Sequence, residues 1–366
     1  MKCSRTQNWN KYTKDTLSDL SVEPLDESIC QKVRSNWDLA AKPLDGMGRF
    51  ERLTAQIGAV LGTDNIDISK KAVIIMCADN GIVEEGISQC GQEVTAAVAR
   101  QMAKGSSAVG RMAAAIGADT IPIDIGINGK EEIPGVLHKK IRCGTRNFAK
   151  EPAMTEQEAV RAVFTGMELV SDCKKKGYHI LATGEMGIGN TTTSSAILTA
   201  LLACDAAEVT GRGAGLSNEK LQHKIAVIED AVGRYKLRGA EPIKVLETVG
   251  GLDIAGLTGV CIGGAVFHVP IVLDGIISMT AALLAQRIAP GTVQYLLPSH
   301  IGREPAAGKL AEELGLTPMI DAEMALGEGT GAVMMFSLLD LALCIYQEGT
   351  KFSDMELEPY KRNIEE

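Results

Sequence analysis

Aromatic side chains make up only 4% of this 366-residue chain, and the formal net charge is −9. A surface of stacking rings along a basic stripe is therefore absent, which argues against nucleic acid as a partner. The nine cysteines contain no C-x-x-C pair and no framework spacing, so reduced thiols and no disulfides are expected. The five histidines are as dispersed, and with the cysteines they make no zinc signature. Residues Met1 to Leu17 are polar and charged without an apolar h-region, an argument against secretion. The longest apolar helix pattern, Gly331 to Tyr346, carries Asp340 near its middle and is short for a membrane span; it reads as a core helix.

What is present is an ordinary globular composition, 45% hydrophobic and 23% charged, long enough for one large domain with a smaller appendage. Short β-branched runs at Lys71–Asp79, Thr120–Ile127, His179–Gly184, Val269–Asp274 and Thr292–Pro298 predict buried strands. Helical patterns lie among them at Glu93–Lys104, Ser106–Ile116, Thr155–Lys176, Thr191–Ala203, Ser217–Lys236 and Ile276–Arg287. Thr155 and Glu158 form a capping box at one of these starts. The alternation predicts an α/β fold: a mostly parallel, Rossmann-like sheet with helices on both faces, over residues 60–330. Residues 1–59 and 331–366 lack strand-like runs and are expected to pair as a small helical subdomain.

The most informative segment is Gly184-Glu185-Met186-Gly187-Ile188-Gly189-Asn190-Thr191-Thr192, between a strand and a helix. Free backbone N–H groups at a helix start, close approach at glycine and the side chains of Asn190, Thr191 and Thr192 suit a phosphate. A strand-to-helix turn with Asn or Thr as cap explains the same residues equally well. Glu185 is the odd member, because a carboxylate repels phosphate; it must face away or handle another part of the ligand, such as ribose hydroxyls. Neither the Walker loop nor the dinucleotide fingerprint fits: Asn190 stands before the threonines where a lysine is needed, and Thr192 where a third glycine is needed. Positive potential must come locally, from helix starts, Lys224 and Arg212. Lys224 reads equally well as a solvated lysine on a helix face.

Other unusual loops follow the predicted strands: Cys77-Ala78-Asp79-Asn80-Gly81, Asp274-Gly275 and Pro298-Ser299-His300. Ligands in open α/β sheets bind beyond these strand ends, so the loops predict an active-site rim. His300 alone is better read as satisfying a backbone group.

Taken in order, the motifs resemble the nicotinate-nucleotide-dimethylbenzimidazole phosphoribosyltransferases of cobalamin biosynthesis. The resemblance is chain-long. It runs from Lys42-Pro43-Leu44-Asp45-Gly46-Met47-Gly48-Arg49 through Ala78-Asp79-Asn80-Gly81, Gln92-Glu93-Val94-Thr95, Cys143-Gly144-Thr145-Arg146-Asn147 and the 184–192 loop. It continues with Gly211-Arg212-Gly213-Ala214-Gly215 and Val272-Leu273-Asp274-Gly275, and ends at Leu326-Gly327-Glu328-Gly329-Thr330-Gly331-Ala332.

The resemblance implies transfer of phosphoribose from nicotinate mononucleotide to a benzimidazole-type base, with inversion, in a cytoplasmic homodimer that needs no metal or cofactor. It assigns the general base to Glu328 and the phosphate and ribose contacts to Glu185, Gly187, Gly189, Asn190, Thr191 and Lys224, with Asp79 also at the site. A carboxylate suits the proton that leaves the attacking azole, and the glycines flanking Glu328 allow a flat ligand close. Gly-Glu-Gly is also what a tight turn before a core helix looks like, with the glutamate as its helix-start charge. Departures from the family pattern fall at Cys90-Gly91, expected to line the base pocket, at Gly302 and at Ala325. They bear on which base is accepted. Two other classes compete: a transferase or kinase with another phosphorylated donor, and a non-enzymatic sensor or carrier on the same scaffold.

Overall fold

The computed structural model describes residues 12–362. The first eleven residues of the polar N-terminal stretch, and the last four of the expected helical subdomain, lie outside the described residues. Eight strands are formed: β1 (Lys71–Ala78), β2 (Asp119–Gly126), β3 (Leu137–His138), β4 (Ile180–Met186), β5 (Ile271–Leu273), β6 (Leu296–Pro298), β7 (His300–Ile301) and β8 (Ile320–Asp321). The first half of the chain supplies helices α1 (Lys14–Ser18), α2 (Glu27–Leu39), α3 (Arg49–Leu61), α4 (Glu93–Ala103), α5 (Ala108–Ala115), α6 (Glu156–Lys175) and α7 (Asn190–Leu201). The second half supplies α8 (Ala206–Val209), α9 (Asn218–Arg234), α10 (Pro242–Val249), α11 (Leu252–Val266), α12 (Ile276–Ile288), α13 (Ala306–Glu313) and α14 (Thr330–Glu348).

Six strands make one parallel sheet in the order β3-β2-β1-β4-β5-β6, and β7 and β8 pair separately. This is the Rossmann strand order, so the Rossmann-like expectation holds, and it puts the switch point between β1 and β4. Along β1 the side chains alternate between two cores. Ala72, Ile74 and Met76 join the cluster with α6, α7 and α9 to α12; Val73, Ile75 and Cys77 join the one with α3, α4, α5 and α14. A strand buried on both faces needs no polar alternation, which is why the run 71–78 is uninterruptedly apolar after Lys71. Lys71 pairs with Asp340, which explains a charge in the middle of α14. Among the described residues α14 is the one helix long and apolar enough by length and composition to cross a membrane, and half of it is buried here.

The capping box of Thr155 and Glu158 is formed at the start of α6. Other expectations are corrected. Thr292–Pro298 is a strand only from Leu296; Gly291, at φ 99°, opens a 3-10 turn over Thr292–Tyr295, where Thr292 Oγ1 donates to the Ala289 carbonyl. The strand expected over Val269–Asp274 shrinks to Ile271–Leu273. Two helices lacked a sequence signal: α11 covers the sheet beside α6 and α12, and α10 packs on α6, α7 and α12. Trp37 of α2 packs at 5.3 Å on Tyr346 of α14, the rings tilted by 50°, and Tyr346 Oη donates to the Asp64 carbonyl. A boundary at residue 60 nevertheless falls inside α3, and α14 shares its core with β1, β4 and β5.

Candidate active site

The β1–β4 register pairs Met76 with Glu185 and Cys77 with Met186, so both strands end at the same level. Beyond β4 the chain turns through Gly187–Gly189 into α7. A β-carbon at Gly187 would lie 2.4 Å from Asp253 Oδ2 and 2.7 Å from the Ala78 carbonyl oxygen, so only glycine lets the loop sit this low. Asn190 Nδ2 then donates to the carboxylate of Glu185 and, at 3.0 Å, to Asp253 Oδ2. Asp253 lies in the first turn of α11 and is fully buried.

Burial pushes the Glu185 carboxyl up to about 8; Asn190 opposes the shift, Asp253 and Asp274 add to it, and the Glu328 backbone N–H opposes it. Burial likewise takes Asp253 up to about 6 against the hydrogen bond from Asn190. Asp274 is also raised by burial, with His300 and three backbone N–H groups acting the other way. Those groups are Gly329 on Oδ2, at 3.1 Å, and Gly331 and Ala332 on Oδ1, at 2.9 and 3.3 Å. Asp274 thereby ties the end of β5 to the loop 327–329 and the start of α14.

Two lobes open around the 187–191 loop. The smaller, a cavity of about 100 Å³, is lined by Gly187, Gly189, Asn190, Thr191 and Lys224, together with Arg212 and Cys90. Lys224 is 1% exposed, and its Nζ donates to Thr191 Oγ1 at 2.9 Å and to the Gly211 carbonyl at 3.2 Å. A solvated lysine is thereby ruled out. Burial brings it down to about 8, with Glu304 opposing. The larger lobe, about 260 Å³, shares Gly187, Asn190 and Thr191 with the smaller. Its floor is Glu185, its apolar wall includes Ile276, Ile277, Met186 and Leu326, and Gly302, Ala325 and His300 lie on its rim.

Three side chains do not lie where the sequence suggested. Cys90, expected at the base pocket, lines the smaller lobe with Lys224, because its loop is held there by Gln89 donating to the Gly215 carbonyl. Asp79 lines neither lobe. It is buried, accepts the Asn128 N–H at 2.7 Å on Oδ2 and the Thr145 N–H at 3.0 Å on its carbonyl, and so anchors the loops beneath the site. Glu328 has φ 63°, and its Oε2 accepts the Val109 N–H at 3.1 Å at the start of α5. Its neighbours Leu326 and Gly327 line the larger lobe, whereas its own side chain is turned to α5. Asp253 was missed by the sequence reading: it sits in a stretch whose apolar, glycine-rich neighbours carry no motif. Among the described residues no group of three or more His, Cys, Asp or Glu side chains is placed to hold a metal ion.

A phosphate-sized lobe with a buried lysine, joined through a glycine loop to an apolar lobe at a Rossmann switch point, defines a class: an enzyme that handles a phosphorylated sugar carrying a flat ring. The chain belongs to the DBI_PRT phosphoribosyltransferase family, whose model matches residues 22–356. A nicotinate-nucleotide-dimethylbenzimidazole phosphoribosyltransferase of Ruminiclostridium cellulolyticum is 43% identical over 341 residues, 93% of this chain and 97% of that one. One of Acetivibrio thermocellus is 42% identical over 352 residues, 96% of this chain and 99% of that one. The crystal structure of CobT from Thermus thermophilus matches with a TM-score of 0.86 at 35% identity, covering 91% of this chain and 100% of that one.

Proposed function

We propose that this chain transfers phosphoribose from nicotinate mononucleotide to dimethylbenzimidazole or a related base, giving α-ribazole phosphate and nicotinate for the lower ligand of cobalamin. The observation that carries this reading is the pair of lobes meeting at Gly187, Asn190 and Thr191, one sized and charged for a phosphate, the other apolar and sized for a ring. The phosphate sits beside Lys224 and the start of α7, where backbone N–H groups and the lysine share its charge. The ribose then spans the loop above Glu185. With its pKa near 8, that carboxyl carries a proton at neutral pH and offers a ribose hydroxyl one donor and one acceptor.

The chemistry is a single displacement. The bond from C1′ to the pyridinium nitrogen breaks and its electron pair returns to the ring, which leaves as nicotinate. A base nitrogen forms the new bond to C1′ from the opposite face, inverting that carbon. The N–H proton of the base passes to a carboxylate and then to solvent. We assign that carboxylate to Glu328, which stands beside Leu326 and Gly327 of the larger lobe; its side chain, held at α5 by the Val109 N–H, has to turn from there into the lobe to take the proton. A cationic leaving group needs no acid, so the protein's contribution is placement and proton removal.

The homodimer and the cytoplasm belong to the same proposal. Met334, Leu341 and Ile345 of α14 are exposed apolar side chains on one helix, a surface that a second copy would cover, and light scattering on the full chain tests it. The scattered cysteines, unpaired among the described residues, support a reducing compartment.

Glu328→Gln tests the base. Its kcat should fall by about a hundredfold or more, the range of general-base catalysis, while nicotinate mononucleotide binding is retained. Unchanged turnover would remove Glu328 from the mechanism.

A further inference from the structure

His300 is 4% exposed and has no part in the transfer described above. Its ring is held at Nδ1, which lies 3.0 Å from Ser299 Oγ and 3.9 Å from Asp274 Oδ1. At 3.9 Å the carboxylate orients the ring without bonding it, and both its oxygens are already taken by the N–H groups of Gly329, Gly331 and Ala332. The Ser299 hydroxyl is thus the partner of Nδ1. The Ser299–His300 contact fits either tautomer; we take the hydroxyl as donor to Nδ1, which leaves the ring proton on Nε2.

Nε2 faces the larger lobe. A β-carbon at Gly275 would stand 3.5 Å from it, and one at Gly302 4.0 Å; both glycines line the lobe with His300. The space between them is where a small group on a bound ring would lie. A mononucleotide with its phosphate beside Lys224 and its ribose over the 187–191 loop sends its ring into this lobe.

We propose that His300 reads the carboxylate on the pyridine ring of the donor, with Nε2–H donating to one of its oxygens. The proposal rests on the transfer reading of the same site and extends it to donor specificity. A hydrogen bond to an ionised acceptor is about twice as strong as one to a neutral acceptor, so the acid is taken over the amide by roughly tenfold or more. Arg303, which lines the same lobe, is the rival reader.

The test compares kcat/KM for nicotinate mononucleotide and nicotinamide mononucleotide in the wild type and in His300→Phe, His300→Gln and Arg303→Ala. The wild type should favour the acid. His300→Phe should lose that preference through KM of the acid donor, with the amide donor little changed, and His300→Gln, which keeps an N–H, should recover part of it. Equal losses on both donors, a preference intact in His300→Phe, or one abolished by Arg303→Ala overturn the assignment. Because Gly331 packs directly against the ring, a wild-type measurement runs alongside. In the full chain carrying nitrogen-15 histidine there are five histidines, and free nicotinate should shift the one Nε2 signal that is absent from His300→Gln. Nicotinamide should leave that signal nearly unmoved. No shift at saturating nicotinate overturns the proposal. If the wild type transfers phosphoribose from neither donor, the transfer reading has failed, and the nicotinate titration still decides the role of His300.

Discussion

Asn190→Ala removes the amide that links the two carboxyls under the loop, and its cost should depend on pH. Asn190 is 5% exposed and donates to both Glu185 and Asp253. Both acids have folded-state pKa values above those of the unfolded chain, about 8 for Glu185 and about 6 for Asp253, and burial is the main cause in each. The stability linked to these groups is therefore complete below their unfolded values and is lost as pH rises through 6 and then 8. Asn190 offsets part of that loss, and only once the charges have formed. At pH 5 both acids are mainly neutral, and two neutral hydrogen bonds contribute about 1–3 kcal/mol. At pH 9 both are ionised, and two bonds to charged acceptors contribute about 3–6 kcal/mol. For a chain of this length that becomes a loss in Tm of roughly 4–9 °C at pH 9 against roughly 1–4 °C at pH 5. Thermal unfolding followed by circular dichroism at the two pH values, each referred to wild type at the same pH, measures the difference. Equal losses at pH 5 and pH 9 would refute the account of the coupled carboxyls.

Binding of nicotinate mononucleotide at pH 8 should draw in up to about one proton, because a phosphate dianion raises the pKa of both Lys224 and Glu185, each near 8 when free. Calorimetry in two buffers of different ionisation heat reads this directly, and no uptake would remove Lys224 from the phosphate subsite. Gly166→Ala should destabilise the fold by about 1–3 kcal/mol or more, as overpacking does, because its β-carbon would lie 2.0 Å from the Gly256 carbonyl oxygen where α6 crosses α11. A urea midpoint equal to wild type would show that the two helices separate freely.

The strands at the switch point were legible because they are buried on both faces, and an unbroken β-branched run such as Ala72–Ala78 has few other readings. The lining of the smaller lobe was legible through its ordered motif, since Gly187, Gly189, Asn190 and Thr191 fall within one five-residue loop and Lys224 was reached through the family pattern. The helix α11 was not. All but the last of its residues are buried, so it has no polar face to mark a period, and its glycines at 259 and 263 read as loop until α6 is laid against them. Asp253 was hidden with it, since a lone aspartate before an apolar stretch has the appearance of an ordinary helix-start charge. For Cys90 and Asp79 the motif was located but its direction was not. Which lobe a loop faces is decided by remote contacts, Gln89 on Gly215 and Asn128 on Asp79, that no local spacing encodes.

The difficulty raised by Glu185, a carboxylate beside a phosphate, resolves through burial. Were Glu185, Asp253 and Asp274 all ionised, three negative charges would stand beside the site proposed for a fourth, with Lys224, Arg212 and Arg303 as the cations that line the two lobes. Burial instead holds Glu185 protonated at neutral pH, and the charge on Asp274 is met by three backbone N–H groups. The repulsion is thereby reduced to Asp253, which shares Asn190 with Glu185. Neutral, the same carboxyl can donate to a ribose oxygen as well as accept from a ribose hydroxyl, whereas an ionised one could only accept. A cluster that looks hostile to an anion from its composition is thus compatible with one, because desolvation holds the Glu185 carboxyl neutral.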